Sequence, residues 1–197
     1  MIYLIGVSHR VQAKPKGATD TPDQLKYREA LTAAIKQVNP ALVGEEYSEF
    51  ALGKQKKDTG TEHESLTKQV ADAAKVQHRY CDPEAEAREK MGYIEGSALP
   101  VRFATSDDRT DYNERGFATE VVKYWPLREQ FWLDQLHDVV GKDVVFVCGD
   151  AHLERFAELS KKHGISSTVV SRHIGLSPFD DEWWNRIQAY VKAHPEV

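Results

Sequence analysis

Five apolar residues in a row, Val144-Val145-Phe146-Val147-Cys148, stand between Asp143 and Gly149. A run this short cannot span a bilayer, which takes about 20 residues. Its β-branched and aromatic content suits a strand buried on both faces. Strands of that kind belong to parallel sheets, whose crossover connections lay helices over either side. The rest of the chain must therefore supply similar strands and the helices to cover them.

It supplies both. Ile2-Tyr3-Leu4-Ile5, ending at Gly6, reads as a buried strand, and Ala41-Leu42-Val43-Gly44 as another that runs into Glu45 and Glu46. Val76 to Cys81 is a weaker strand, interrupted by His78 and Arg79, and Ser167 to Ser171 is the last. Between them, Thr21-Pro22-Asp23-Gln24 is a capping box with proline at the first helical position. Leu31, Ala34, Ile35 and Val38 then follow at helical spacing, which predicts a helix over 22–38. Further helices are expected over 63–75, after Asp82-Pro83-Glu84, over 117–124, from Pro126 with Trp132, Leu136, Val139 and Val140 inward, after Ala151 with Leu153 and Phe156 inward, and over 181–193 with Trp183, Trp184 and Ile187 inward. Gly53 to Gly60, with its Lys54-Gln55-Lys56-Lys57 run, reads as a solvated loop. The expectation is an α/β fold: a mostly parallel sheet with helices on both faces, in three layers.

Residues 1–197 suit a single α/β domain. Residues 93–116 are polar and aperiodic apart from a short strand over 99–104, and read as an irregular insert or lid. A net charge of -5 with scattered Lys and Arg excludes a nucleic-acid surface, which needs a clustered basic face. No apolar run suggests a membrane partner, and Met1 to Val7 is too short for a signal peptide. Cys81 and Cys148 make no disulfide framework and read as buried thiols, so the cytoplasm is the expected compartment. No glycine-rich phosphate loop and no Gly-x-Ser-x-Gly elbow is present.

Ligands in open α/β sheets bind beyond the carboxyl ends of the strands. The residues that follow each strand are therefore the ones to read. They are Gly6-Val7-Ser8-His9, then Glu45 and Glu46, then Asp82, then Gly149-Asp150-Ala151-His152. Two imidazoles and several carboxylates suit a divalent cation or acid–base chemistry. In Gly-x-x-His, glycine permits a tight strand exit and close backbone approach, and the imidazole can turn back over the strand end. A third copy, Gly60-Thr61-Glu62-His63, follows no strand and reads as coincidence. Asp82 serves as a helix cap as readily as a catalytic acid, and Asp150 as a cap or a base.

These motifs, in this order, resemble the superfamily that includes TraB and TIKI proteins, ChaN-like proteins and erythromycin esterase. Glu46, by register, falls on that superfamily's strand-end glutamate, Asp82 on its aspartate, and Arg128 on an arginine of the helix before the late strand. The resemblance implies a metal-dependent hydrolase in which His9, Glu46 and His152 hold manganese, cobalt or zinc. Asp82 or Asp150 would take a proton from water, and Arg128 would stabilise a developing oxyanion. The substrate would be a small molecule or peptide with an amide, ester or phosphoester bond. Two other readings stay open: a binding module for a small anion or a metal or haem complex, and a metal-free esterase with histidine as the base.

Overall fold

The computed structural model describes residues 1–94 and 109–195. The regular elements, in chain order, are β1 (Ile2–Val7), β2 (Ala13–Pro15), α1 (Pro22–Val38), β3 (Leu42–Glu45), α2 (Glu49–Thr59), β4 (His63–Ser65), α3 (Leu66–Ala73), β5 (Gln77–Tyr80), α4 (Ala85–Lys90), α5 (Arg109–Thr119), α6 (Trp125–Gln135), β6 (Val144–Gly149), α7 (Leu153–Lys162), β7 (Ser167–Ile174) and α8 (Pro178–Ala193). The chain divides into two compact units, Met1–Glu84 with Phe131–Leu176 and Ala85–Gln130 with Ser177–Val197.

The first unit holds a five-stranded sheet in the order β5-β3-β6-β1-β7, every neighbour parallel. Alternation along the strands sorts the core into two layers. Ile2, Leu4, Leu42, Val144, Phe146 and Cys148 face Trp132, Leu136, Leu153 and Phe156. Ile5, Val7, Val43, Val145 and Val147 face Tyr27, Leu31 and Ile35 of α1 and Leu66 and Val70 of α3. Helices thus cover both faces of a parallel sheet, and the α/β, three-layer expectation holds. β2 and β4 form a small antiparallel ribbon beside it.

α1 begins and ends where the sequence says. Gln24 N–H donates to Thr21 Oγ1 at 3.2 Å and Thr21 N–H to Gln24 Oε1 at 2.9 Å, while Asn39 closes the helix with φ of 50°. Caps of this kind contribute about 1 kcal/mol. The expected loop at 53–60 is instead part of α2. That helix buries no residue, so it has no apolar period to read. Its ends hold it: Ser48 Oγ accepts from Ala51 N–H, Gly60 caps it at φ of 72°, and Glu84 accepts the N–H groups of Glu49 and Phe50 at 3.0 and 2.9 Å.

Other boundaries move. His63–Ser65 is a strand and the following helix begins at Leu66, because Ser65 Oγ caps it at Lys68 N–H. The helix expected to open at Asp82 begins at Ala85. Residues 109–116, expected to be irregular, belong to α5. The rest of that segment, including the strand over 99–104, lies mostly outside the described residues. Val140 is exposed, since the chain turns out through a short 3-10 turn at His137–Val139.

In the second unit α5 packs against α8. Phe117 meets Trp183 edge-on at 5.2 Å and Trp125 stacks on Trp184 at 5.3 Å. Trp183 and Trp184 are half-buried there, and Ile187 is the buried residue of the helix. Among the described residues no helix is long and apolar enough to cross a membrane.

Candidate active site

β3 delivers two adjacent glutamates to opposite sides of the sheet, as strand pleating requires. Glu45 turns toward the α3 side, where its Oε1 accepts from Ser65 Oγ at 2.6 Å and lies 2.7 Å from His78 Nε2. Glu45 Oε2 is buried without a hydrogen-bond partner. Burial, with this carboxylate adding to it, pushes the Tyr27, Tyr47 and Tyr80 hydroxyls above the ordinary tyrosine range. Glu46 turns the other way. Its side chain is 0% exposed, and Oε2 accepts the N–H of Gly149 at 2.6 Å.

That bond leaves Glu46 Oε1 between two imidazoles. His9 Nε2 lies 3.6 Å from it and His152 Nε2 lies 3.5 Å from it. Three residues from three strand ends therefore meet. His9 opens a 3-10 turn after β1 and His152 closes one after β6, so each ring folds back over its strand end.

Neither glycine of the two motifs has positive φ: Gly6 lies inside β1, and Gly149 ends β6 directly before a 3-10 turn. Each makes room for a neighbour. A Cβ on Gly149 would sit 3.0 Å from His9 Nε2 and 3.4 Å from Glu46 Oε2. A Cβ on Gly6 would sit 2.4 Å from Asp150 Oδ1 and 2.5 Å from Leu153 Cδ1. His63, from the third copy of the motif, starts β4 and its Nδ1 lies 2.9 Å from the Thr61 carbonyl.

Comparison with protein-family models, with curated proteins and with solved structures finds no match. The chemistry must come from the residues themselves.

The two imidazoles are held differently. Gln12, fully buried, places its Oε1 2.7 Å from His9 Nδ1, while the His9 ring is 55% exposed. The His152 side chain is 4% exposed and packs edge-on against Trp132 with ring centroids 4.9 Å apart. Trp132 in turn donates its indole N–H to Asp82 Oδ1 at 3.0 Å. Asp82 is thus one ring removed from His152. Asp150 is drawn toward β7: its Oδ1 accepts the N–H of His173 at 2.6 Å. Arg128 belongs to the second unit, where its guanidinium lies 5.6 Å from the centre of the Tyr93 ring.

The donor set suits a divalent cation. Two donors about 2.1 Å from one tetrahedral centre stand roughly 3.4 Å apart, close to both imidazole–Glu46 separations. Among the described residues no group of three or more His, Cys, Asp or Glu side chains stands ready as a complete metal cage. The fit is therefore pairwise, with His9 the exposed member and His152 the buried one. Cys81 is no rival nucleophile, because burial pushes its thiol up to about 12.

Sequence reasoning missed Gln12, the Trp132–Asp82 link and His173. Gln12 had a faint signal: it stands three residues after His9, and a 3-10 turn eclipses positions i and i+3. His173 had none, since its role depends on a residue 23 positions away.

Proposed function

We propose that this protein is a metal-dependent hydrolase of the TraB/TIKI-like type, with His9, Glu46 and His152 holding one divalent cation: manganese, cobalt or zinc. The observation that carries the reading is the fully buried Glu46 carboxylate with an imidazole Nε2 at 3.6 Å and another at 3.5 Å from one oxygen. When bound, the cation supplies Lewis acidity and lowers the pKa of water toward about 7. The chain's own residues fix the donors. Gly149 N–H holds Glu46 Oε2, and Oε1 is the oxygen that stands nearest both imidazoles. Gln12 accepts the Nδ1 hydrogen of His9, which leaves the Nε2 lone pair as donor. Trp132 fixes the His152 ring, and Asp82 fixes Trp132. The substrate is an amide, ester or phosphoester of a small molecule or peptide. Cys81 and Cys148 are buried thiols outside any disulfide, which agrees with a cytoplasmic setting.

A second reading, with histidine as a metal-free base, draws on His9 itself: a ring oriented by Gln12 and open to solvent. Metal content by mass spectrometry separates the two. Purified wild type carries near one divalent ion per chain under the first reading, and His9→Ala and His152→Ala lose it. Equal metal in all three ends that reading. Turnover of an ester, peptide and phosphoester panel that survives chelation supports the second. Metal binding without turnover leaves a binding module.

A further inference from the structure

Asp150 reaches across one strand to hold a residue of the next. It follows β6, while His173 belongs to β7, and β1 lies between those strands. The crossing point is Gly6, where a Cβ would stand 2.4 Å from Asp150 Oδ1. The absent side chain is what lets the carboxylate pass. On the far side one hydrogen bond and one close approach join Asp150 to His173. Oδ1 accepts its backbone N–H at 2.6 Å, and Oδ2 lies 3.2 Å from ring Nδ1.

His173 is unusual in its own backbone. It has φ of 60°, a left-handed conformation that costs a non-glycine residue on the order of 1 kcal/mol. It sits in a bulge: between the pairs Ile5↔Ser171 and Val7↔Ile174, Gly6 opposes both Arg172 and His173. Bulges re-aim side chains. Here the His173 side chain stays 57% exposed while Asp150 is 9% exposed. Arg172 also approaches Asp150, at 3.4 Å, and pairs with Glu154 at 3.0 Å. The next residue, Ile174, accepts the N–H of Ser8 at 2.8 Å. His9 and His173 therefore flank a single inter-strand hydrogen bond, with Cα atoms no more than about 13 Å apart.

We propose that His173, oriented by Asp150, is a further catalytic residue of this sheet edge: the general base that takes the proton of the attacking water. This rests on the hydrolase reading. A carboxylate oxygen 3.2 Å from ring Nδ1 favours the ring hydrogen there over Nε2 and leaves the Nε2 lone pair to accept a proton. Asp150 is then a positioning residue and not the base that the sequence suggested. The step balances. A water proton passes to His173 Nε2 as the water oxygen bonds to the electrophilic carbon or phosphorus. The bond to the leaving group breaks with its electron pair, and the leaving group takes the proton back from the imidazolium.

His173→Asn is the variant of choice, because asparagine tolerates left-handed backbone and keeps the N–H donated to Asp150. On the substrate that wild type turns over best, kcat falls about 100-fold or more while KM stays within about threefold. Asp150→Ala lowers kcat in the same way. Long-range proton–nitrogen NMR of wild type, with His173 assigned through His173→Asn, shows Nδ1 protonated and Nε2 bare. A His173 ring protonated at Nε2 and bare at Nδ1, or His173→Asn turnover within twofold of wild type, overturns the proposal. Loss of turnover in His9→Ala with His173→Asn unaffected overturns it and spares the hydrolase reading. Turnover and metal content that survive His9→Ala and His152→Ala, but turnover lost in His173→Asn, spares the dyad and ends the metal site. Wild type with no turnover on the panel removes both.

Discussion

The backbone N–H of Gly149 donates to Oε2 of Glu46 at 2.6 Å, joining residues 103 positions apart. One strand end thus fixes the carboxylate of another, and the glycine without a side chain leaves space for His9 beside it. Charge-assisted bonds of this kind are about twice as strong as neutral ones. The carboxylate's second oxygen is the one both imidazoles share.

Glu46→Gln tests that sharing. The amide oxygen can still accept from Gly149, so the fold holds and Tm moves by no more than about 4 °C. Removing the charge lowers affinity for manganese or zinc by about 100-fold or more. Isothermal titration calorimetry alongside a thermal melt reads both. Unchanged metal affinity would falsify the role given to Glu46.

The two motif glycines should fail in different ways. Alanine at Gly149 meets His9 Nε2 at 3.0 Å, and that ring is exposed and can swing, so stability changes by less than about 1 kcal/mol. Under the proposed metal site affinity drops as well, since the imidazole that swings is one of its donors. Alanine at Gly6 meets Asp150 Oδ1 at 2.4 Å and Leu153 Cδ1 at 2.5 Å, both buried, and costs about 1–3 kcal/mol. Urea denaturation of the two variants side by side distinguishes them; equal stability loss contradicts the argument.

Gln12→Met removes the acceptor for His9 Nδ1 in a similar volume. Metal affinity is expected to fall about 10- to 100-fold, the usual effect of losing a partner that orients a ligand. The His9 ring then shifts toward the Nε2-protonated tautomer, which nitrogen NMR reads directly. A His9 spectrum identical to wild type speaks against Gln12 as its anchor.

Trp132→Phe keeps a ring against Phe146, Phe156 and His152 but takes the N–H away from Asp82, which is 6% exposed. Losing one hydrogen bond to a buried acceptor costs about 0.5–1.5 kcal/mol. Equilibrium unfolding checks the loss, and a change below about 0.5 kcal/mol would show the Asp82–Trp132 bond to be unimportant.

The Arg79–Asp138 pair gives a pH dependence with a definite sign. The Arg79 hydrogen bonds, at 2.7 and 2.9 Å, hold the Asp138 carboxyl down to about 2 from an ordinary 3.8. A lowered folded value means the pair stabilises the fold fully above pH 3.8 and loses that contribution as pH falls toward 2. The stability gap between wild type and Asp138→Asn is therefore constant from pH 7 to about 4 and closes by about 2. Urea melts at pH 7, 4 and 2 measure it; a gap that persists at pH 2 contradicts the pairing. Asp138 is exposed, so the gap is small.

The chain's own letters determined a good deal. The run Val144 to Cys148, the Thr21–Gln24 box and the 3.6-residue spacing through α1 are local, and local periodicity with local capping decides strand and helix. That is why the α/β, parallel-sheet reading survives, and why His9, Glu46 and His152 were legible as strand-end residues. α2 was illegible for the converse reason: with no buried face, its stability lies in end caps and in Glu84, 35 residues beyond Glu49. Tertiary structure alone decided what each strand end faces. Whether Glu45 or Glu46 meets the imidazoles depends on which side of the sheet α3 covers. Whether Asp150 is a base or a brace depends on β7 lying beyond a glycine of β1. Such contacts join residues 23 and 103 positions apart, and short-range pattern carries no information about separations of that length.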